Sequence, residues 1–228
     1  EDGKGISILH SSEPSKISFT KFENLKANKD FSINVSGGLS FYDSPVKISN
    51  SEFINFSSED ALNLVRSQFQ INNSRFIGNK SDAIDIDFSN GRIENSLFEN
   101  NGNDSIDISG GEVFLNKLKI NFSGDKAISV GEKSKVIAND IKIGEAFIGI
   151  ASKDLSTIKI NNINFKKPNI CLAAYEKKKE YGPGHISLNK FDSNCGGKYV
   201  LEEGSSIKVK EDTLLPNTES AYKDLYKK

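Results

Sequence analysis

The chain has 228 residues, 36% of them hydrophobic, with 30 Lys and Arg against 31 Asp and Glu for a net charge of −1. That much apolar content over this length suits one folded domain, and the near-zero charge gives no electrostatic case for a nucleic-acid partner. No apolar run is long enough to cross a membrane.

Short strands separated by Asn, Gly, Ser and Asp begin at the N-terminus with Gly5-Ile-Ser-Ile-Leu9 and continue down the chain. The middle of the sequence aligns with itself: Ile48-Ser-Asn-Ser-Glu-Phe53, Ile71-Asn-Asn-Ser-Arg-Phe76, Ile93-Glu-Asn-Ser-Leu-Phe98, then motifs opening at Leu115, Ala138 and Ile160. Successive steps are 23, 22, 22, 23 and 22 residues. A fixed period in this range is the mark of a solenoid. Phe19-Thr-Lys-Phe22 and Leu188-Asn-Lys-Phe191 are read as the outermost copies, with interruptions at 24–45 and 175–184.

Within each repeat, apolar residues stand two apart: Val46/Ile48, Ile84/Ile86, Ile106/Ile108, Ile128/Val130, Ile158/Ile160. Period two means a half-buried strand. The repeat is too short for a propeller blade and has no room for a helix plus a strand. It predicts an all-β fold, a right-handed single-stranded parallel β-helix of about eight to nine coils over residues 1–210. Residues 211–228 form a C-terminal extension. In it, Asn217–Tyr226 predicts a short flanking helix, with Asn217 or Thr218 as cap and Tyr222, Leu225 and Tyr226 as its apolar face. Met is absent, position 1 included, as expected of a segment of a longer gene product or one that follows a cleaved signal. Cys171 and Cys195 fall about one coil apart and read either as two small buried residues or as a disulfide.

Polar residues recur with the same period. Asp60, Asp82, Asp104 and Asp125 are read as one column at the turn into a strand, and Asn63, Asp85, Asp107 and Ser129 as a second column on its outward face, joined by Asp87. Parallel coils set equivalent residues about 4.8 Å apart, where two carboxylates repel by roughly 0.8 kcal/mol in water and roughly 3 at an effective dielectric of 20. Such a stack needs amide donors, cations, raised pKa values or a metal. The turn column reads first as backbone capping. The strand column reads equally as a site. Asp82, Asp85, Asp104 and Asp107 could hold Ca²⁺, a hard cation that takes oxygen ligands, or do acid/base work on sugars. Arg66, Lys126 and Lys153 are the candidate bases, with charge balance as their ordinary role. Tyr175 and Tyr181 bound a basic excursion that could hold an acidic glycan, or could be a solvated turn; with Asp82, Asp85, Asp87, Asp104 and Asp107 they are the candidates for binding a glycan or partner.

The Asn-x-x-Phe and Asp-Ala-hydrophobic-Asp motifs resemble the bacterial right-handed parallel β-helix repeat superfamily, which includes pectate lyases, alginate lyases and mannuronan epimerases. The runs Leu39-Ser-Phe-Tyr-Asp-Ser-Pro45, Ser81-Asp-Ala-Ile-Asp-Ile-Asp-Phe88, Gly124-Asp-Lys-Ala-Ile-Ser-Val-Gly-Glu132 and Ala173-Ala-Tyr-Glu-Lys-Lys178 resemble more narrowly the β-helix domains that follow a kinase-like module in CotH-type cell-surface proteins. The resemblance implies a secreted, periplasmic or cell-surface bacterial module. It would be attached to an upstream domain and would bind a polysaccharide or a cell-surface protein. The alternative it leaves open is a Ca²⁺-assisted lyase or epimerase acting on a uronate polymer.

Overall fold

The computed structural model describes residues 3–28, 35–190 and 198–226. Its strands fall into three parallel sheets wound into a solenoid of about nine turns. The first sheet stacks Ile6–Leu9, Gly37–Tyr42, Asp60–Val65, Asp82–Asp87 and Ile106–Ser109, and ends with Ile170–Tyr175 and Tyr199–Leu201. Between these, two long strands, Glu112–Gly131 and Lys135–Lys153, run through all three sheets without a break.

The register bears out the repeat. Ile48, Ile71, Ile93, Leu115, Ala138, Ile160 and Leu188 pair one above the next in the second sheet. In the third, Phe53, Phe76 and Phe98 stack with ring centroids 4.6 and 5.0 Å apart. These side chains are essentially inaccessible to water. Each such side chain is worth about 1.5–3 kcal/mol of transfer free energy, so the column is the main source of cohesion. One copy is shifted from expectation. Ile17, not Phe19, pairs with Ile48, and Phe22 pairs with Phe53. Phe19 sits at the turn with φ 51° and is 82% exposed.

The Asn and Ser richness has a structural cause. Asn50, Asn73 and Asn95 each take a positive φ at equivalent corners, a conformation Asn tolerates well. Buried serines cap the preceding coil: Ser44 N–H donates to Ser67 Oγ at 3.0 Å, and Ser67 N–H to Ser89 Oγ at 2.8 Å. Turn amides that would otherwise be orphaned are satisfied this way.

The interruptions are narrower than expected. Gly37–Tyr42 is a strand inside the first of them, and Tyr175 closes a strand rather than opening a loop. Asp212–Thr213 turns back antiparallel on Ser206–Val209 and covers the last edge. The helix is real but shorter, Ala221–Tyr226. Asn217 does not cap it. Its Oδ1 accepts from Leu201 N–H and its Nδ2 donates to Tyr199 O, which ties the extension to the last strand of the first sheet. Cys171 is fully buried and disulfide-bonded. Cys195 and Phe191 lie outside the described residues.

Candidate functional site

Three columns define the outward side of the first sheet. The column at the strand entry reads Asp60, Asp82, Asp104, then Lys126, Ile148 and Ile170. This corrects the expected order, because Lys126 and not Asp125 holds the fourth place. Ile106 pairs with Ile128, so the residue two before Ile128 stands over Asp104. The backbone bonds show the same step: Asp82 Oδ1 accepts from Asp104 N–H at 2.8 Å, and Asp104 Oδ1 accepts from Lys126 N–H at 2.8 Å. Each carboxylate thus caps the coil that follows.

The second column is as expected at Asn63, Asp85, Asp107 and Ser129, and continues as Ala151 and Ala173. The third includes Val65, Asp87 and Ser109, and ends with Lys153 paired to Tyr175. Down the stack the face passes from carboxylates through lysines to small and apolar side chains. The C-terminal helix lies on the apolar part, with Ala221 and Leu225 against Ile148, Ala151, Ala173 and Tyr175. It flanks the sheet rather than capping the end of the stack.

A cavity of about 240 Å³ opens where the charged part meets the helix. Asp104, Asp107, Lys126, Lys153 and Tyr175 line it, and Tyr222 and Tyr226 of the helix stand at its mouth. Lys126 is held between Asp104, 3.4 Å from its Nζ, and Asp125, and Tyr226 O–H donates to Asp125 at 3.3 Å. The Lys126 ammonium also lies 5.4 Å from the Tyr226 ring centroid. Lys153 reaches back across the coil above it. Gly131 allows this, since a Cβ there would come within 3.2 Å of Lys153 Cε. Its Nζ donates to Ser129 Oγ at 2.5 Å and stays 3.6 Å from Asp107 Oδ1.

Two polar atoms of the cavity are left without a hydrogen-bond partner among the described residues, Asp107 Oδ1 and Tyr175 O–H. Tyr175 is fully buried. A buried polar group without a partner costs about 1–3 kcal/mol, and of the two atoms Asp107 Oδ1 is offset by the Lys153 ammonium 3.6 Å away.

Burial dominates the electrostatics. It pushes the Asp60 carboxyl up to about 7 and that of Asp82 to about 6, with neighbouring carboxylates adding to the effect. Asp85 and Asp87 are raised for the same cause. Asp85 keeps one donor, Asn63 Nδ2 at 3.1 Å. Burial also lifts Asp104, to about 7, against the pull of Lys126. Asp107 goes the other way: burial would raise it, but Lys153, Ser129 and Lys126 together bring it below the usual range. Burial opposes the charge on Lys126 and Lys153, yet Asp104 and Asp107 hold them protonated.

The expected site residues divide. Asp104, Asp107, Lys126, Lys153 and Tyr175 come together in the cavity. Asp82, Asp85 and Asp87 extend from it along the acidic face. Arg66 does not belong: it forms a bidentate pair with Asp43 at 2.8 and 3.1 Å over the Tyr42 ring, at a half-exposed corner. Tyr181 is likewise elsewhere, its hydroxyl on Glu132 at 3.4 Å and its ring 5.5 Å from Lys133 Nζ. Among the described residues no three Asp, Glu, His or Cys side chains converge as metal ligands. Asp82, Asp85, Asp104 and Asp107 are therefore not brought together as a Ca²⁺ cage. Their oxygens are turned to backbone amides, Asn63 and the two lysines. Sequence reasoning missed Tyr222 and Tyr226 as parts of the site, because only the fold carries Tyr226 to Asp125, 101 residues away in sequence.

Comparison with known families decides the classification. The sequence profile of the right handed beta helix region matches residues 60–214, more than half of the chain. The chain belongs to the right-handed β-helix family. Neither a curated protein nor a solved structure matches it significantly. As a β-helix it carries its candidate site on the flank of the solenoid, on the strand-borne face of the first sheet.

Proposed function

We propose that this β-helix is an extracytoplasmic carbohydrate-binding module, with the glycan lying along the outward face of the first sheet and entering the cavity beside the C-terminal helix. The observation that carries this reading is the cavity itself. Carboxylates, ammonium groups and amides converge next to two half-exposed tyrosine rings, the combination of polar and aromatic groups that recognises sugar hydroxyls and the C–H faces beneath them. The Cys171 disulfide supports an oxidising compartment. Among the described residues no helix is long and apolar enough to cross a membrane. The resemblance to β-helix domains of CotH-type surface proteins supports attachment to a further, kinase-like module of the same gene product. Sedimentation of the purified chain with insoluble polysaccharides and bacterial wall preparations tests the reading. Retention on at least one glycan is expected, and retention on none contradicts it.

One observation favours a second reading. Asp104 and Asp107 share one cavity while their environments push their carboxyls in opposite directions, the pattern of an acid and its partner base. A sugar-cleaving β-helix would use Asp104 as proton donor. New reducing or unsaturated ends after incubation with the retained glycan would establish this reading over simple binding.

A further inference from the structure

We infer that the acidic part of the first sheet, at Asp82, Asp85 and Asp87, is a subsite for a primary ammonium group, and that the glycan lying along this face carries it on an amino sugar whose nitrogen is not acetylated. This rests on the reading above that the face binds a glycan, and it names the class of glycan.

Three observations carry it. The first is what the chain does with its own lysines. Lys126 Nζ lies 3.4 Å from Asp104 Oδ1, and Lys153 Nζ lies 3.6 Å from Asp107 Oδ1. Asp82 stands one coil before Asp104, and Asp85 pairs in register with Asp107. Among the described residues no ion pair forms at Asp82 or Asp85, nor at Asp60 or Asp87. The charges that act most on Asp85 are all carboxylates, those of Asp60, Asp87, Asp107 and Asp82. A ligand cation would relieve the repulsion among them, whereas a ligand anion would add to it.

The second is a buried oxygen. Asp60 is 2% exposed, and its Oδ2 has no hydrogen-bond partner among the described residues. Asp60 is in register with Asp82, and no other charge acts on Asp85 as strongly. Further along this column Asp82 and Asp104 each accept from the amide of the coil that follows, but the Asp82 amide donates to Glu59 O instead. A buried acceptor without a donor, beside carboxylates without a cation, calls for a donor that is itself positively charged.

The third is fit. Two hydrogen bonds of about 2.9 Å from one ammonium, set at the tetrahedral angle, reach acceptors about 4.7 Å apart, close to the coil spacing of about 4.8 Å. A Ca²⁺ ion needs six or more oxygens at about 2.3–2.6 Å, and among the described residues no three of these side chains converge as such ligands. Phe88 follows Asp87 directly and is 55% exposed. Its ring offers a broad apolar surface to the C–H face of a pyranose, so an amino sugar suits the subsite better than the narrow lysine stem of a partner protein.

Isothermal titration calorimetry of the full chain at about pH 6, where the amine of an amino sugar is charged, tests the inference. The probes are tetraglucosamine, its N-acetylated form, cellotetraose, tetragalacturonate and tetralysine. Tetraglucosamine is expected to bind about tenfold more tightly, or better, than any of the others. Asp85→Asn keeps an acceptor for Asn63 and removes the charge. It is expected to weaken that binding about five- to tenfold while leaving the melting temperature equal or higher, since the parent carboxyl is crowded by like charges. A purely structural role would not give that combination. Phe88→Ala, at an exposed position, should weaken binding as well, and Lys119→Ala on the third sheet should not. Equal binding of the free and acetylated tetramers, or tighter binding of tetragalacturonate, would overturn the inference and leave the glycan-binding reading standing. Binding of tetraglucosamine that Asp85→Asn and Phe88→Ala both leave intact would do the same. Tetralysine binding as tightly as tetraglucosamine would overturn the inference in favour of a basic peptide. Binding of none of the five also overturns it, and retention of the chain on an insoluble polysaccharide then decides separately whether the glycan-binding reading stands.

Discussion

The first sheet presents two unlike surfaces on one backbone geometry. Between Asp60 and Asp107 its outward columns are rich in carboxylates, buried at Asp60 and Asp104 and half-buried at Asp82, Asp85, Asp87 and Asp107. From Ile148 to Ala173 the same columns are Ile and Ala, covered by the helix Ala221–Tyr226. Parallel pairing continues through both halves, with one register shift between Ser123 and Lys126, so the repeat alone does not set the difference; side-chain chemistry does. Where the column is apolar, the chain folds back to bury it. Where it is acidic, burial raises the carboxyls, and the lysines at the boundary stabilise the nearest of them. The cavity lies at that boundary, where neither solution is complete and two polar atoms go without partners.

Substitutions that exchange the character of the halves test this contrast. Ala173→Asp places a carboxylate beneath the helix at a position with no accessible surface. A loss of about 4 kcal/mol in urea unfolding is expected, together with release of the helix, because the charge would be buried without a partner. Lys153→Met removes the cation that holds Asp107 ionised. A loss of about 3 kcal/mol is expected at pH 8 and much less at pH 4, where Asp107 can take up a proton.

Asp60→Asn should act in the opposite sense. The folded-state pKa of Asp60 is about 7, above its ordinary value of 3.8. The folded protein therefore binds this proton more tightly than the unfolded chain. The stability this contributes is full below pH 4 and is lost as pH rises through about 7. The Asn variant escapes that loss. It should be more stable than the parent by on the order of 2 kcal/mol at pH 8 and equal to it near pH 4, measured as paired unfolding midpoints. Tyr226→Phe, which removes a hydroxyl on the half-exposed Asp125, should cost under about 0.5 kcal/mol and shift the melting temperature by a degree or so.

The repeat was legible because it rests on side-chain volume and period. The Ile and Phe columns could be counted from spacing alone, and the Asn and Ser at the corners follow from local backbone demands. Residue identity misleads where spacing does not. Asp125 resembles the acidic column in type, but its step from Asp104 is 21 residues, while the apolar step from Ile106 to Ile128 is 22. Phe19 resembles Ile48 in type, but Ile17 holds that place. The carboxylates and lysines of the site could be named, since register brings neighbours in a column together. Tyr222 and Tyr226 could be read as a helix face but not placed, because no periodicity links the extension to the sheet it covers. Arg66 and Tyr181 were candidates by type only, and each finds its partner, Asp43 or Glu132, at a corner away from the cavity.

The central claim is that recognition takes place at the boundary between the acidic and the covered halves of this sheet. Amide chemical-shift mapping of the ¹⁵N-labelled chain, titrated with an oligosaccharide of whichever polymer retains it, tests that claim most directly. The account predicts perturbations confined to residues around Asp104–Asp107, Asp125–Lys126, Lys153, Tyr175–Lys177 and Tyr222–Tyr226. Perturbations centred on the second or third sheet, with these amides unmoved, would contradict it.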